Sequence, residues 1–277
     1  MNVKRFVLLL FIILGTMARK SSAQTPDGTQ AMPHPVAAEA AHPVVVELFT
    51  SQGCSSCPPA DVLLTKLGAA PAGQAAPVIP LEFHVDYWNH VGWTDPFSSR
   101  TWTERQVGYM RAFHLDAPYT PQAVVDGAAQ VVGSDADALR GAIAAAEKKP
   151  AAGIALHLQP EASRVSVDAD VTLPESLRGR RWDLLVAVFE TGLVTPVGKG
   201  ENGGRTLHND YVVRSLTSAG KVEKPSRLKA TLKLEKDWDR SRLGVAAFLQ
   251  DPKSLEIRGA SVAPLSSTGA APAGAAP

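Results

Sequence analysis

The chain has 277 residues, carries 28 Lys and Arg against 27 Asp and Glu, and is 45% apolar. That length suits two domains of ordinary size, each with enough apolar material for a core of its own. The near-balanced charge, with no basic stripe, excludes nucleic acid as an expected partner.

In chain order, Lys4 and Arg5 precede an apolar run from Phe6 to Leu14, and Ser21-Ser22-Ala23 ends in a small residue before Gln24. This is the pattern of a cleavable secretory signal peptide over residues 1–23, so the expected location is periplasmic or secreted. The run is shorter than the ~20 residues a bilayer requires, and no stable membrane span is expected. Arg19-Lys20 departs from the pattern, because charge just before a cleavage site is unusual, and leaves an uncleaved anchor open. Residues 24–42, rich in Pro and Ala without an apolar period, read as a flexible lead-in, and residues 264–277 as a disordered tail.

From residue 43 to 150, strand-like runs alternate with helical ones. PVVVELFT (43–50) predicts a buried strand, and Val62, Leu63, Leu64 and Leu67 mark a helix over 59–67. A second strand is expected at Leu81–Val85, a helix over Arg100–Phe113, and a hairpin in AVVDGAAQVVG turning on Asp126-Gly127. A last helix starts from Ser134 as its cap and runs to Lys149. The alternation argues for an α/β domain over 43–150. From 151 to 263, ALHLQ, RVSVDADV, RWDLLVAVFE, NDYVVRSLT, RLKATLKLE, LGVAAFLQ and EIRGASV are short strand candidates separated by turn residues. They argue for a β-sandwich-like domain following the first.

The chemistry is concentrated in FTSQGCSSCPPAD (49–61), which holds the chain's two cysteines, Cys54 and Cys57. A disulfide between them closes a very small loop, where loop-closure entropy contributes least, so a structural staple explains the pair poorly. The expected strand leads through a Gly-containing loop into Cys-Ser-Ser-Cys and then into a helix. Unpaired N–H groups at a helix start stabilise a thiolate there and lower its pKa. Pro58 and Pro59 fit a first helical turn, where a missing N–H costs little. In such a turn Cys54 is the exposed nucleophile and Cys57 the deeper resolving thiol. Ser55 and Ser56 lie between them and set the potential.

VVELFTSQGCSSC resembles the opening of the thioredoxin superfamily, in a style closest to glutaredoxins, and Tyr119-Thr120-Pro121 resembles its substrate-side proline loop. The resemblance implies a cis Pro121 facing the cysteines and a backbone contact from Thr120 to an extended substrate, with Tyr119 beside it. Two departures stand out. The family's buried acid falls near Leu48, with Glu47 adjacent but facing the other way, and the stretch from Cys57 to Pro121 is long. That stretch contains FHVDYWNHVGWTDPFSS (83–99). Together with YTPQAVVDG and GENGGRTLHNDYVVR it resembles the exported bacterial family known as domain of unknown function 1223, from about Pro43 to Val262. This resemblance implies a thioredoxin-like domain followed by a β-rich one, and redox chemistry without an established substrate.

His84, Asp86 and His90 follow a strand end, where α/β folds place ligands, and with Trp88 they are candidates to line the redox site. His84 and His90 have five residues between them, a zinc-compatible spacing that admits a two-cysteine, two-histidine metal site. The 26 residues between Cys57 and His84 exceed finger-type spacing, and Asp86 capping a turn and His90 bonding a loop are structural alternatives. Tyr87, Trp88, Trp93, Phe97 and Trp102 form either a collar around the cysteines or satellite core, the commoner arrangement. Gly198, Gly200 and Gly203 spell GxGxxG, but β-rich surroundings and Pro196 argue for a glycine-rich loop between strands. From that loop Glu201, Asn202, Arg205 and His208 are candidates to reach the redox face.

The expected function is an exported thiol–disulfide oxidoreductase that needs no cofactor, because the cysteines carry the electrons. Its partners would be protein or peptide thiols and disulfides and an unidentified electron-transfer partner. The alternatives are a metal-binding or metallochaperone protein using the cysteines with His84 or His90, and a non-catalytic binding module.

Overall fold

The computed structural model describes residues 42–69 and 77–265. The signal peptide, nearly all of the lead-in and most of the tail lie outside the described residues. Val44–Thr50, a run of β-branched and apolar residues, forms β1 and is buried along its whole length. After it come α1 (Pro58–Gly68), β2 (Val78–His84), α2 (Arg100–Ala112), β3 (Gln122–Val125), β4 (Ala129–Val132) and α3 (Ala136–Ala146). The remainder is β5 (Gly153–Pro160), β6 (Arg164–Thr172), β7 (Trp182–Glu190), β8 (Leu193–Pro196), β9 (Thr206–Asn209), β10 (Val212–Val222), β11 (Ser226–Lys233), β12 (Leu243–Gln250) and β13 (Ile257–Pro264).

These strands build a mostly β protein around one mixed eight-stranded sheet, ordered β13-β12-β7-β10-β2-β1-β3-β4. β1 runs parallel to β2, and β2 meets β10 in parallel at Glu82 and Val212. The other neighbours in the sheet are antiparallel. The sheet therefore crosses the boundary expected near Pro150, and the described residues form one unit. The β2–β10 junction covers part of what would otherwise be an exposed apolar strand edge on β2. The expected sandwich exists in altered form. β5, β6 and β11 make a three-stranded sheet, and its facing layer is the far half of the large sheet. Val165, Val167, Trp182, Leu184, Val245 and Leu249 interdigitate between the two layers.

α1 and α3 cover one face of β1 and β3 through Leu48, Leu64, Leu139 and Ile143. α2 covers the other face, where Trp102 and Tyr109 pack with Phe49, Phe83, Phe189 and Phe248. Asp126 and Gly127 take positive φ values of 45° and 60° in the three-residue turn, 126–128, that joins β3 to β4. α3 starts one residue later than Ser134 implied, because the Asp135 carboxylate accepts from Ala138 N at 3.0 Å, and it ends at Ala146 instead of Lys149. β8 and β9, four residues each, were too short to show a period. They pair with each other, so the glycine-rich stretch is a loop between strands. Among the described residues no helix is long and apolar enough to cross a membrane.

Candidate functional site

The end of β1 and the start of α1 bring Cys54 and Cys57 together in a disulfide. Cys57 is the N-cap of α1, with Pro58 and Pro59 opening the first turn, and its carbonyl accepts from Ala60 N at 2.8 Å. Ser55 and Ser56 are exposed between the cysteines, and Ser56 Oγ lies 3.3 Å from Cys54 Sγ. The exposed-nucleophile expectation needs correction: Cys54 and Cys57 are both 0% exposed.

The cover is the loop between β8 and β9. Asn202, itself 0% exposed, donates from Nδ2 to the carbonyl oxygens of Gln52 and Cys54, at 2.9 Å each. Arg205 Nη1 donates to Asn202 Oδ1 at 2.7 Å and fixes the amide's orientation. Ser55 N donates to Glu201 Oε2 at 2.9 Å, and bonds from the Ser55 hydroxyl and amide hold the Glu201 carboxyl below its usual range. Gly200, at φ +77°, comes close enough to Trp93 that an added Cβ would lie 3.2 Å from Trp93 Cβ. Gly198 and Gly200 thus serve close approach to Trp93. His208 is exposed on β9 opposite Val194, and it makes no hydrogen bond to the cysteine loop among the described residues.

Trp88 connects the cysteine loop to the proline loop. It backs Gly53, where an added Cβ would lie 3.1 Å from Trp88 Cβ, and its Nε1 donates to Thr120 Oγ1 at 2.7 Å. The Thr120–Pro121 peptide is cis. Pro121 is buried, and a Cβ on Gly133 would sit 3.2 Å from both Pro121 Cβ and Ala60 Cβ, which places the proline beside α1. Tyr119 is half-buried, its hydroxyl bonded to Gln130 and its carbonyl accepting from Gln106 Nε2 at 2.7 Å.

Beneath the cysteines lies a buried set of titratable side chains. Asp61 stands one helical turn after Cys57, on the same face of α1, and accepts from Thr50 Oγ1 at 2.7 Å. Glu82, on β2 opposite Leu48, is bonded to Asp61 and accepts from Asn209 Nδ2 at 2.8 Å. His84 stands between two carboxylates, with Nδ1 2.7 Å from Asp95 Oδ2 and Nε2 3.3 Å from Glu82 Oε1. The second contact is an ion pair off hydrogen-bond alignment, so Nε2 has no hydrogen-bond partner of its own. Asp95 Oδ2 also accepts from Gln52 N at 2.8 Å, and Gln52 Nε2 donates to Asn209 Oδ1 at 3.0 Å. The set therefore touches the cysteine loop from below.

Its charge states follow from its neighbours. Burial opposes charge on His84, but the Asp95 and Glu82 carboxylates outweigh it and raise the imidazole well above its usual value. Burial, and then the neighbouring Glu82 carboxylate, push Asp61 well above the usual carboxyl range against the bond from Thr50. Asp95 goes the other way: burial would raise it, but His84 and three hydrogen bonds lower it. His84 therefore keeps its proton to higher pH than an ordinary imidazole, and Asp61, one turn from Cys57, keeps its own to higher pH than an ordinary carboxyl.

The remaining expected residues are structural. Asp86 Oδ1 accepts from Thr103 Oγ1 at 2.6 Å, and exposed His90 places Nδ1 2.6 Å from Tyr87 O. Both His84 nitrogens face carboxylates, and the described residues hold no group of three or more His, Cys, Asp or Glu arranged for a metal. Trp102 is core, and Tyr87 and Trp88 pack against the same cluster. Glu47 does face away, bonding Arg105 Nε at 2.6 Å and the Tyr109 hydroxyl. Asp61, Glu82, Asp95, Gln52 and Asn209 were not singled out in the sequence. The signals available were an acid one turn past the second cysteine and an acid inside the otherwise apolar IPLEF strand.

Residues 45–250 match the model of a family described as Protein of unknown function (DUF1223). The chain is similar to a crystallised protein of Agrobacterium tumefaciens, with 30% identity, a TM-score of 0.64, and coverage of 82% of this chain and 96% of that one. HBP35 of Porphyromonas gingivalis shares the fold at 14% identity and a TM-score of 0.62, over 85% of this chain and 80% of its own. No curated protein matches the chain. With most of its length inside the family model and a crystallised relative along nearly the whole of that relative's chain, the protein belongs to the DUF1223 family.

Proposed function

We propose that the protein is an exported thiol–disulfide oxidoreductase built on a thioredoxin-like unit. The observation that carries this reading is the Cys54–Cys57 disulfide at the first turn of α1, with the buried Asp61 carboxyl, raised above its usual range, one turn further on. The strand order β2-β1-β3-β4, with α1 and α3 on one face and α2 on the other, supports the thioredoxin-like part. So does the place of Pro121 beside α1.

The exchange balances as follows. A partner thiolate attacks Cys54 Sγ, the Cys54–Cys57 bond breaks, and Cys57 leaves as a thiolate that takes a proton from Asp61. The partner's second thiolate then attacks its own sulfur in the mixed disulfide and releases Cys54 as a thiolate. Two electrons pass from the partner dithiol to the cysteine pair; the two protons that the partner thiols shed on ionising enter solvent, which returns one to Asp61 and one to the Cys54 thiolate, and the reverse sequence oxidises a partner. The helix start stabilises whichever thiolate is free. The β8–β9 loop must move aside before a partner sulfur can reach Cys54.

A Cys57→Ser variant tests the reading, because a mixed disulfide formed on Cys54 then has no resolving thiol. Expressed in cells with its leader, this variant should accumulate protein adducts that reducing agent releases and that disappear in a Cys54→Ser, Cys57→Ser double variant. Absence of such adducts would sink the proposal.

A further inference from the structure

Arg214 on β10, two residues past the Val212 pairing with Glu82, donates no hydrogen bond to the protein among the described residues. Its guanidinium lies between the rings of Phe97 and Trp238, 5.3 and 5.2 Å from their centroids. Its side chain is only 16% exposed, and its one ion pair is Nε to Glu190 Oε2 at 3.6 Å. Glu190 is itself committed elsewhere, accepting from Asp239 N at 2.9 Å. A guanidinium has five donors in a rigid plane, and they project from its edge, away from the faces that take ring contacts.

That edge borders two cavities. One, of about 440 Å³, is lined by Arg214, Ser215, Thr231, Lys233, Glu235 and Trp238, with Lys233 Nζ paired to Glu235 Oε1 at 2.8 Å, which leaves Arg214 as its cation without a close carboxylate; the second, of about 190 Å³, includes Phe97 and Ser99. Ser215 Oγ is buried in the lining of the first without a partner. The backbone around this cleft is also open. β10 pairs with β7 on one side, but on the other it meets β2 at Val212 alone, and β11 is the outer strand of its sheet. The register of β10 shifts between Val213 and Ser215, a bulge of the kind that re-aims a side chain at a site.

We infer that this cleft binds a carboxylate, presented by an extended acidic peptide, with Arg214 as the anchoring residue. The planar edge of the guanidinium fits a carboxylate in bidentate fashion. The open edges of β10 and β11 offer main-chain pairing to an extended partner, which a small free carboxylate cannot use. This inference stands independently of the cysteine chemistry.

Calorimetric titration of the full chain tests it with three probes: acetyl-Thr-Val-Glu-Val-Thr-amide, its Gln counterpart, and benzoate. The Glu peptide should bind, and the Gln peptide should bind about tenfold more weakly or worse. Arg214→Gln should lose about as much, and so should Thr231→Glu, which places a like charge at an exposed cleft position and keeps the inference testable if Arg214→Gln fails to fold. No binding of the Glu peptide, equal binding of the two peptides, or unchanged binding in Thr231→Glu would overturn the proposal. Benzoate bound as tightly as the Glu peptide would overturn the peptide as ligand and assign the cleft to free carboxylates.

Discussion

The side-chain amide of Asn202 donates to the carbonyl oxygen of Cys54 at 2.9 Å, across 148 residues of sequence, and holds the β8–β9 loop over the disulfide. A covered disulfide reacts through the fraction of molecules whose cover is open. Removing a buried amide that makes two hydrogen bonds costs the closed state about 1–3 kcal/mol, and each ~1.4 kcal/mol is tenfold in that fraction.

Asn202→Ala should therefore speed reduction of the Cys54–Cys57 disulfide by dithiothreitol by roughly tenfold, read as thiols alkylated against time. Glu201→Gln should have a smaller effect, since its bond to Ser55 N is exposed. A reduction rate unchanged in Asn202→Ala would show that the loop does not govern access. The result does not depend on whether mixed disulfides form with cellular partners.

His84 gives the stability a pH dependence of definite sign. Its folded-state pKa is raised, so the folded chain keeps a proton that the unfolded chain loses above about 6.5. The contribution is complete below that value and is lost as pH rises through the folded-state value. Asp61 acts in the same direction, because its raised carboxyl keeps a proton that the unfolded chain releases near pH 4. Asp95, which is lowered, stabilises from above its unfolded value and loses its contribution as pH falls. Urea unfolding at pH 6 and 9 should show His84→Gln costing about 3–5 kcal/mol at pH 6, because it leaves buried carboxylates without their cation. The variant should also lose less stability than the parent between the two pH values. An equal loss in both proteins would remove His84 as the source of the dependence.

Asp61 separates folding from chemistry. Protonated Asp and Asn are both neutral and of nearly the same shape, so below the Asp61 transition, at about pH 4, Asp61→Asn should unfold within about 1 kcal/mol of the parent. It cannot supply a proton to the departing Cys57 thiolate. Under the thiol–disulfide reading, reduction of the disulfide by a dithiol should slow, and its pH profile should change near the Asp61 transition. Stopped-flow measurement across pH checks this. A parent-like profile would leave Asp61 with a structural role alone.

Much of this was legible because it is local. The apolar run of β1, the prolines after Cys57 and the Asp126-Gly127 turn each write a backbone conformation into a few adjacent residues. What escaped is non-local. β2 shows no sign in its own residues that Glu82 will meet Val212 of β10, and that single pairing merges two expected domains into one sheet. The burial of Cys54 escaped for the same reason, since its cover arrives from Glu201 and Asn202 after most of the chain has intervened. His84 read as a possible ligand because the sequence does not show that its two nitrogens will face the carboxylates of Glu82 and Asp95.

Gly127 is where the hairpin turn and the far end of the sheet constrain one another. Its φ of +60° belongs to the left-handed region, where a side chain costs about 1–2 kcal/mol. A Cβ there would also collide with the carbonyl oxygen of Leu255. That contact cannot relax freely, because Ile257 N donates to Asp126 O at 2.7 Å and Asp126 Oδ1 accepts from Val45 N at 2.8 Å. Overpacking of this kind adds about 1–3 kcal/mol, so Gly127→Ala should destabilise by about 3 kcal/mol in total. Gly141 is the matching control, since it lies inside α3 with nothing within 4 Å of an added Cβ. Gly141→Ala should stabilise by about 0.5–1 kcal/mol through helix propensity. Urea midpoints that move in opposite directions for the two alanines would fit both contacts; a neutral Gly127→Ala would mean that the 255–257 segment yields to the turn.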